Sequence, residues 1–516
     1  MLAELLSGYD EIEKEYLVLG FTHGFFLDCD KTSENISQGN HHSIHEHPES
    51  AENLISKELQ EGRIAGPFDE QPFDKFHISP IKLQPKKNGS FRLIQNLSSP
   101  YDENSINYHI SEENSTVSYA SIQDAISIIQ FLGPNCFMAK SDIKSAFRLI
   151  PINPADYPKL GFMYNNQFYY DKCLAQGCSS SCRIFERFST ALEWILQNKF
   201  GVKHSCHVLD DFLFLAITGQ ECGIFLEAWK KLCTLLNIPL ALDKTFDPAQ
   251  IMIFLGIELS TIEMMARLPI DKLEAYREQL QELLHSRTVK LKNMQSAIGI
   301  LQFSTSVIIP GKAFVRRLID TTIGISVPYH YVTITPEAKK DIKMWHTFFA
   351  HHNGKTLFIS QTQDSVTLNL YSDASKKACA ATFGDQWFVI PFPPTWSEKN
   401  IAFLEFFPIL IAIEIFGLKM ANKNIKMHCD NKAVVEVINK QSCKEKEIMA
   451  LMRKMVLVVM QYNIKFTAAH IPGKINHLPD ALSRLQVTPQ LLRKHGMQAQ
   501  PTKVPARLTP QNFKVI

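Results

Sequence analysis

Two adjacent aspartates, Asp210 and Asp211, interrupt the otherwise apolar run His207-Val208-Leu209-Asp210-Asp211-Phe212-Leu213-Phe214-Leu215. A run this short and apolar reads as a buried or half-buried β-strand. An unpaired carboxylate inside such a strand is costly. A second one beside it is worse, because each raises the pKa of the other. A tight turn relieves the conflict by bringing both acids to a surface, where a divalent cation can neutralise them. The stretch therefore predicts a hairpin with a metal at its tip. It also asks for a third carboxylate from elsewhere, since Mg²⁺ in phosphoryl-transfer sites is held by carboxylates together with substrate phosphates.

The chain of 516 residues has room for two to four domains and large cores. Its 54 basic and 52 acidic residues leave a net charge of +2, so any surface for a polyanion must be local. Eleven cysteines, odd in number and without a CxxC pair, read as free thiols in a reducing, intracellular compartment; cytoplasm and nucleus are not distinguished. The acid-bearing start Met1-Leu2-Ala3-Glu4-Leu5 does not read as a secretory signal, and no apolar run is expected to reach transmembrane length.

Along the chain, His41, His42, His45 and His47 invite a metal, but no cysteine or carboxylate completes a ligand spacing, and a polar loop before a helix at 48–61 is the preferred reading. Residues 78–97 alternate as a hairpin that turns at Asn88-Gly89 and carries Lys86, Lys87 and Arg92, a basic finger suited to phosphate oxygens. Taken alone, Lys86 and Arg92 are equally ordinary turn residues. A strand at 137–143 ends in Asp142, strands flank a turn at Asn165-Asn166, a helix runs over 184–196, and a strand is expected at 251–259. Amphipathic helices fill 268–345, and 350–366 reads as a linker. A second α/β unit then places Asp373 at a strand end, Glu405 on a helix with Pro408, Asp430 at a strand end and Asp480 in a loop or helix start. The stretch from 486, rich in Pro, Gln and basic residues, reads as loose.

Asp142 lies 68 residues before Asp210, and the three acids can converge on neighbouring strands. Such a cluster suits two cations about 3.5–4 Å apart, one activating a 3′-hydroxyl and one stabilising departing pyrophosphate. The motif order is more specific than the acids. The basic hairpin, Ser141-Asp142-Ile143-Lys144-Ser145-Ala146-Phe147, Gln176-Gly177 opening a helix, Leu209-Asp210-Asp211-Phe212-Leu213, Asp243-Lys244-Thr245 and Phe254-Leu255-Gly256-Ile257 follow the sequence of a reverse-transcriptase palm. The chain resembles the reverse transcriptase–RNase H of a retrotransposon, closest to DIRS/Ngaro-type elements, from about Asn40 to Gln486.

The resemblance implies an α/β (α+β) right-hand polymerase of fingers, palm and thumb followed by an RNase H-like domain. The expected divisions are an N-terminal segment 1–50, fingers and palm 51–262, helical thumb or connection 263–349, linker 350–365, RNase H-like domain 366–486 and loose tail 487–516. It implies that Asp142, Asp210 and Asp211 hold the polymerase metals and that Lys86 and Arg92 touch the incoming triphosphate. Phe147 becomes a steric gate against a ribose 2′-hydroxyl, with an ordinary core aromatic as the other reading. Gln176 and Gly177 would line the nucleotide pocket, 254–256 would sit at the primer grip, and Lys244 near the pyrophosphate. Val208, where the family commonly has an aromatic, and Leu174-Ala175-Gln176-Gly177, where it often has Leu-Pro-Phe-Gly, depart from the pattern without removing a metal ligand.

In the second unit, Tyr371-Ser372-Asp373-Ala374-Ser375, Phe403-Leu404-Glu405, Cys429-Asp430-Asn431, His470-Ile471-Pro472-Gly473 and Asp480-Ala481-Leu482-Ser483-Arg484 resemble RNase H words. Asp373, Glu405, Asp430 and Asp480 would hold paired cations for RNA hydrolysis, and His470 would either assist release or merely position its turn. The implied cofactor is Mg²⁺, two per site, with Mn²⁺ an alternative. The implied partners are an RNA template, a DNA primer, RNA–DNA hybrid and deoxynucleoside triphosphates, with other element-encoded proteins and no membrane. A decayed or domesticated copy that only binds nucleic acid is the competing reading, disfavoured because all seven acids are present. No protease, integrase or recombinase signature accompanies them, so the chain reads as part of a larger element product.

Overall fold

The structure, a computed structural model, describes residues 1–29, 39–86, 89–357, 362–364, 366–473 and 476–513. Lys87 and Asn88 of the expected basic hairpin tip lie outside the described residues, as do 358–361 and 365 of the expected linker. The chain forms two compact units, Met1–Leu255 with Ser260–Glu263, and Gly256–Leu259 with Met264–Ile516.

In the first unit, β1 (Phe137–Asp142) is central in a four-stranded sheet with β2 (Ser205–Val208), β3 (Asp211–Ala216) and β4 (Phe246–Ala249), in the order β2-β3-β1-β4. Helices α1 (Ser181–Lys199) and α2 (Gly219–Leu235) pack on it. Leu192, Ile195, Phe212, Phe214 and Trp229 of these elements are fully buried in one core. Burial of each such side chain contributes ~1.5–3 kcal/mol. A separate small core joins the helix Pro48–Gln60, the hairpin Ile81–Pro85/Phe91–Gln95 and the strands Gly161–Tyr164/Gln167–Asp171. Asn165 and Asn166 both take positive φ, 49° and 60°, as a two-residue hairpin turn demands.

The apolar run at 251–259 is two strands rather than one, Ile251–Phe254 and Ile257–Ser260. Leu255 and Gly256 separate them with φ of 47° and 76°, a conformation no continuous strand can hold.

The second unit begins with helices Ile270–His285 and Leu291–Ser304, a short helical turn Arg316–Asp320 and α3 (Pro336–His351). The antiparallel strands β5 (Tyr371–Ala374), β6 (Ala378–Phe383) and β7 (Gln386–Pro391) follow, then α4 (Ile401–Phe416). After α4 come β8 (Asn424–Cys429), α5 (Lys432–Lys440), α6 (Lys446–Gln461), β9 (Lys465–His470) parallel to β8, and α7 (His477–Ser483). Mixed sheets and helices in both units give an α+β architecture, a first unit followed by a further one.

Two expectations are corrected. Ile401–Met420 is long and apolar enough to cross a membrane by length and composition, where no such run was expected; it is mostly buried against β5, β6 and α6. The tail is not loose. Pro489–Lys494 is helical, Leu492 and Met497 join a core with Trp387, Leu478 and Leu482, and Thr502 N–H donates to the Trp387 carbonyl at 2.7 Å. A few spaced apolar residues anchor a segment whose composition alone suggested disorder.

Candidate active sites

The Asp-Asp run folds as the apolar pattern demands. β2 and β3 pair with Val208 opposite Asp211, leaving Leu209 and Asp210 as a two-residue turn with Leu209 at φ 53°. β1 pairs with β3 so that Asp142 stands directly opposite Asp211. Ile143 N–H donates to the Asp210 carbonyl at 3.0 Å, locking the turn onto the strand that supplies the third acid. The sheet thus gathers Asp142, Asp210 and Asp211 at one end.

Burial, followed by the charge of Asp142, pushes Asp210 up to about 6. Burial also raises Asp142, against the opposing contact of Lys244. Lysines neutralise the flanking acids: Lys244 Nζ lies 2.9 Å from Asp142 Oδ2 and Lys140 Nζ lies 2.9 Å from Asp211 Oδ1. Buried and half-buried carboxylates crowded together, with oxygen donors only, fit a hard divalent cation.

A second, polar layer holds the turn from behind. Glu186 on α1 accepts the Leu209 N–H at 2.9 Å. His207, also buried, contacts Glu193 at 2.7 Å through Nδ1 and Glu186 at 3.5 Å through Nε2. Glu193 further accepts the Ser205 hydroxyl at 2.7 Å. Burial disfavours charge on His207, but the two glutamates outweigh it and raise its pKa to about 9.

A cleft of about 590 Å³ opens over the acids. Asp142, Asp210, Phe147, Gln176, Lys86 and Arg92 all line it. Burial, then the charges of Arg92, Lys57 and Lys244, lowers the Lys86 pKa, as expected where cations converge without enough anions. Phe147, half-buried, meets Phe185 edge-on at 5.5 Å while facing the cleft, so it serves core and cleft together. Gly177 sits behind Gln176 at φ 125°, where a Cβ would stand 2.1 Å from the Gln95 carbonyl oxygen; only glycine fits.

In the second unit, Asp373 lies on β5, Glu405 on α4, Asp430 one residue beyond β8 and Asp480 on α7. Asn476 donates to the Ser372 carbonyl at 2.9 Å and Ser483 donates to Asp373 at 2.5 Å, which draws the Asp480 helix to β5. Burial and then Asp430 raise Glu405 to about 7. Burial, then Asp430 and Asp480 against the Ser483 hydrogen bond, raises Asp373 to about 6. Glu405, Asp430 and Cys429 offer ligand atoms within 4.8 Å of one another. The Cys429 thiol is pushed up to about 12 by burial and so stays protonated. Glu405 Oε2 is buried with no hydrogen-bond partner among the described residues, which fits a carboxylate shaped for a cation. His470 ends β9 opposite Cys429, exposed, with no side-chain bond among the described residues.

Residues 84–259, which hold Asp142, Asp210 and Asp211, match the family model for reverse transcriptase (RNA-dependent DNA polymerase). This stretch is a reverse-transcriptase domain. The chain is also 24% identical over 302 residues (56% of its length) to the Gag-Pro-Pol polyprotein of squirrel monkey retrovirus, and 24% identical over 180 residues (33%) to that of sheep pulmonary adenomatosis virus. It spans 14% and 9% of the length of these relatives. Among solved structures, the foamy viral protease-reverse transcriptase dRH in complex with double-stranded DNA is similar at TM-score 0.52 and 15% identity, covering 91% of this chain and 80% of that one. At that identity the likeness is one of fold.

In the reverse-transcriptase domain, sequence reasoning missed Lys140, Glu186, Glu193 and His207. The signals were present. Lys140 precedes Asp142 by two residues and so shares its strand face. Glu186 and Glu193, seven apart, put acids onto the apolar stripe of Phe185, Phe188 and Leu192.

Proposed function

We propose that this chain is an RNA-directed DNA polymerase that also hydrolyses the RNA strand of RNA–DNA hybrids, encoded by a retrotransposon of the DIRS/Ngaro type. The observation that carries the reading is the register pair Asp142–Asp211 with Asp210 in the adjoining turn, Asp142 and Asp210 lining a cleft shared with Lys86, Arg92, Phe147 and Gln176. In this reading the three acids and the basic residues divide the labour on a deoxynucleoside triphosphate. Lys86 and Arg92 bind the phosphate oxygens. Phe147 underlies the sugar and leaves no room for a 2′-hydroxyl. Gln176, held by Gly177, shapes the base end. Lys244, paired with Asp142 at 2.9 Å, would meet the departing pyrophosphate.

In the second unit, Asp373, Glu405, Asp430 and Asp480 would hold the paired cations that meet the scissile phosphate of the RNA strand, and His470 would assist release or position its turn. Mg²⁺, two ions per site or Mn²⁺ in its place, would supply charge neutralisation and an activated oxygen nucleophile when bound to the seven acids. The partners are an RNA template, a DNA primer and their hybrid, in an intracellular setting that the eleven free cysteines suit.

Primer extension on an RNA template with Mg²⁺, lost in Asp210→Asn, tests the first activity. Cleavage of a labelled RNA–DNA hybrid, lost in Asp430→Asn, tests the second. Binding of hybrid without turnover under any divalent metal would instead identify a decayed, binding-only protein.

A further inference from the structure

A pocket of 330 Å³ in the second unit shares no lining residue with either acid cluster. Five cations line it, Arg316, Arg317, Lys444, Lys446 and Arg453, against the acids Asp320 and Glu337. Two of the five lie against carboxylates: Arg316 is 2.8 Å from Asp320, although its Nε, too, makes no hydrogen bond of good geometry among the described residues, and Arg317 is 3.0 Å from the buried Asp341. Arg453 is different. It is 3% exposed, its Nη2 reaches Asp341 only at 3.7 Å, and its Nε has no hydrogen-bond partner among the described residues. A buried guanidinium that lines a cavity and leaves a donor unused is an incomplete structure, because the group has lost water and gained little in return. Two helix starts face the same space. α3 brings Thr335, its N-cap, and Glu337; α6 brings Lys446 and Met449, and its N-cap Glu445 makes no side-chain capping bond. Each helix has sixteen residues, long enough for a developed positive end. With Asp341 included, five cations meet three carboxylates, so the pocket carries an excess of two positive charges.

We propose that this pocket binds a phosphate dianion, supplied either as inorganic hydrogenphosphate or as the phosphate group of a nucleoside monophosphate. Two negative charges match the excess. Tetrahedral oxygens can accept from Arg453 Nε and from the start of α6 at once, which a planar carboxylate does less well. Lys444 and Lys446, both exposed, flank the mouth and screen the entering charge.

The full chain is titrated with inorganic phosphate and, separately, with adenosine monophosphate, at ionic strength matched with chloride. Binding is read by thermal melting and by ³¹P line broadening. Both ligands are expected to raise the melting temperature saturably at millimolar concentration. Affinity is expected to fall roughly tenfold or more in Arg453→Gln and in the double variant Lys444→Ala/Lys446→Ala. The double variant changes only exposed side chains, so it decides the matter even where Arg453→Gln fails to fold. Tighter binding of the nucleotide assigns that source, and equal affinity assigns the free anion; either supports the pocket. No saturable response, or a response unchanged in the lysine double variant, overturns it. So does a variant that loses affinity for nucleic-acid duplex while the wild type ignores phosphate, because the cations would then serve a backbone.

Discussion

The two acid clusters of this chain balance their charge by different means. In the polymerase palm, lysines stand at 2.9 Å from two of the three aspartates, and a buried glutamate–histidine layer holds the turn that carries the third. In the second unit the only cation bonded to the four acids, among the described residues, is Arg484, on Asp480 at 2.8 Å. Burial and the charge of Asp430 raise Glu405 to about 7 and, against the Ser483 hydrogen bond, Asp373 to about 6. The first cluster is compensated in part within the protein, by lysines on Asp142 and Asp211. The second is uncompensated and depends more heavily on what binds there.

The largest expected effect separates the clusters outright. Asp210→Asn removes a carboxylate from the palm and is expected to lower primer extension by about 10³-fold or more, while hybrid cleavage stays within about twofold. Asp430→Asn is expected to do the reverse. Loss of both activities in either variant would show that the two clusters do not act separately.

The next effect is in pH. At limiting Mg²⁺, hybrid cleavage is expected to rise through about pH 7 with ionisation of Glu405, and primer extension through about pH 6 with Asp210. Stability runs the other way. A carboxylate whose pKa is raised by folding keeps its proton in the native state where the unfolded chain has released it. Metal-free stability therefore falls as pH rises from the usual carboxylate range to about 7, and is lowest above that. Melting curves without metal should show this fall, and Mg²⁺ should reverse it at high pH. A flat metal-free profile would mean that Glu405 and Asp373 are not crowded.

Much of this was legible in the residues, and the limits are instructive. Asp210-Asp211 in an apolar run dictated a turn, because no buried strand tolerates two unpaired acids. Asn165-Asn166 likewise announced its hairpin. The break at Leu255-Gly256 was hidden, since Ile251–Leu259 has strand-like composition and Leu255 is an unusual residue for positive φ. The docked tail was hidden for another reason: Leu492, Met497 and Leu508 are too few to form a periodic stripe, and their burial depends on a surface presented by distant residues such as Trp387. Glu186 and His207 looked like isolated polar residues because their partnership is tertiary. Charged residues on apolar faces were the clue.

That partnership gives the third test. Glu186→Ala removes the acceptor of the Leu209 N–H and is expected to reduce primer extension by about 10–100-fold, the usual scale for a group that orients a metal ligand. Glu186→Gln keeps a carbonyl acceptor and should recover most of the loss. Hybrid cleavage should be unaffected in both, since Glu186 belongs to the first unit and the second cluster to the other. Equal loss in the two variants would assign Glu186 to charge balance with His207 rather than to holding the turn.

The smallest effect contrasts two glycines, one behind each cluster. At Gly177 an added Cβ meets the Gln95 carbonyl oxygen at 2.1 Å, with φ at 125°. Backbone cannot move aside without dragging the hairpin strand Phe91–Gln95, so Gly177→Ala is expected to cost about 2–4 kcal/mol of stability and to weaken nucleotide binding as well. At Gly473 an added Cβ meets only the far end of a side chain, Asp430 Oδ2 at 3.2 Å, and the backbone there is not left-handed. Gly473→Ala is therefore expected to cost about 1 kcal/mol or less. Its effect should fall on metal affinity in hybrid cleavage, because the methyl group presses on a proposed ligand without straining the chain. A stability loss at Gly473 as large as that at Gly177 would show that the second cluster, too, is held rigidly by its backbone, and the contrast between a braced site and an unbraced one would fail.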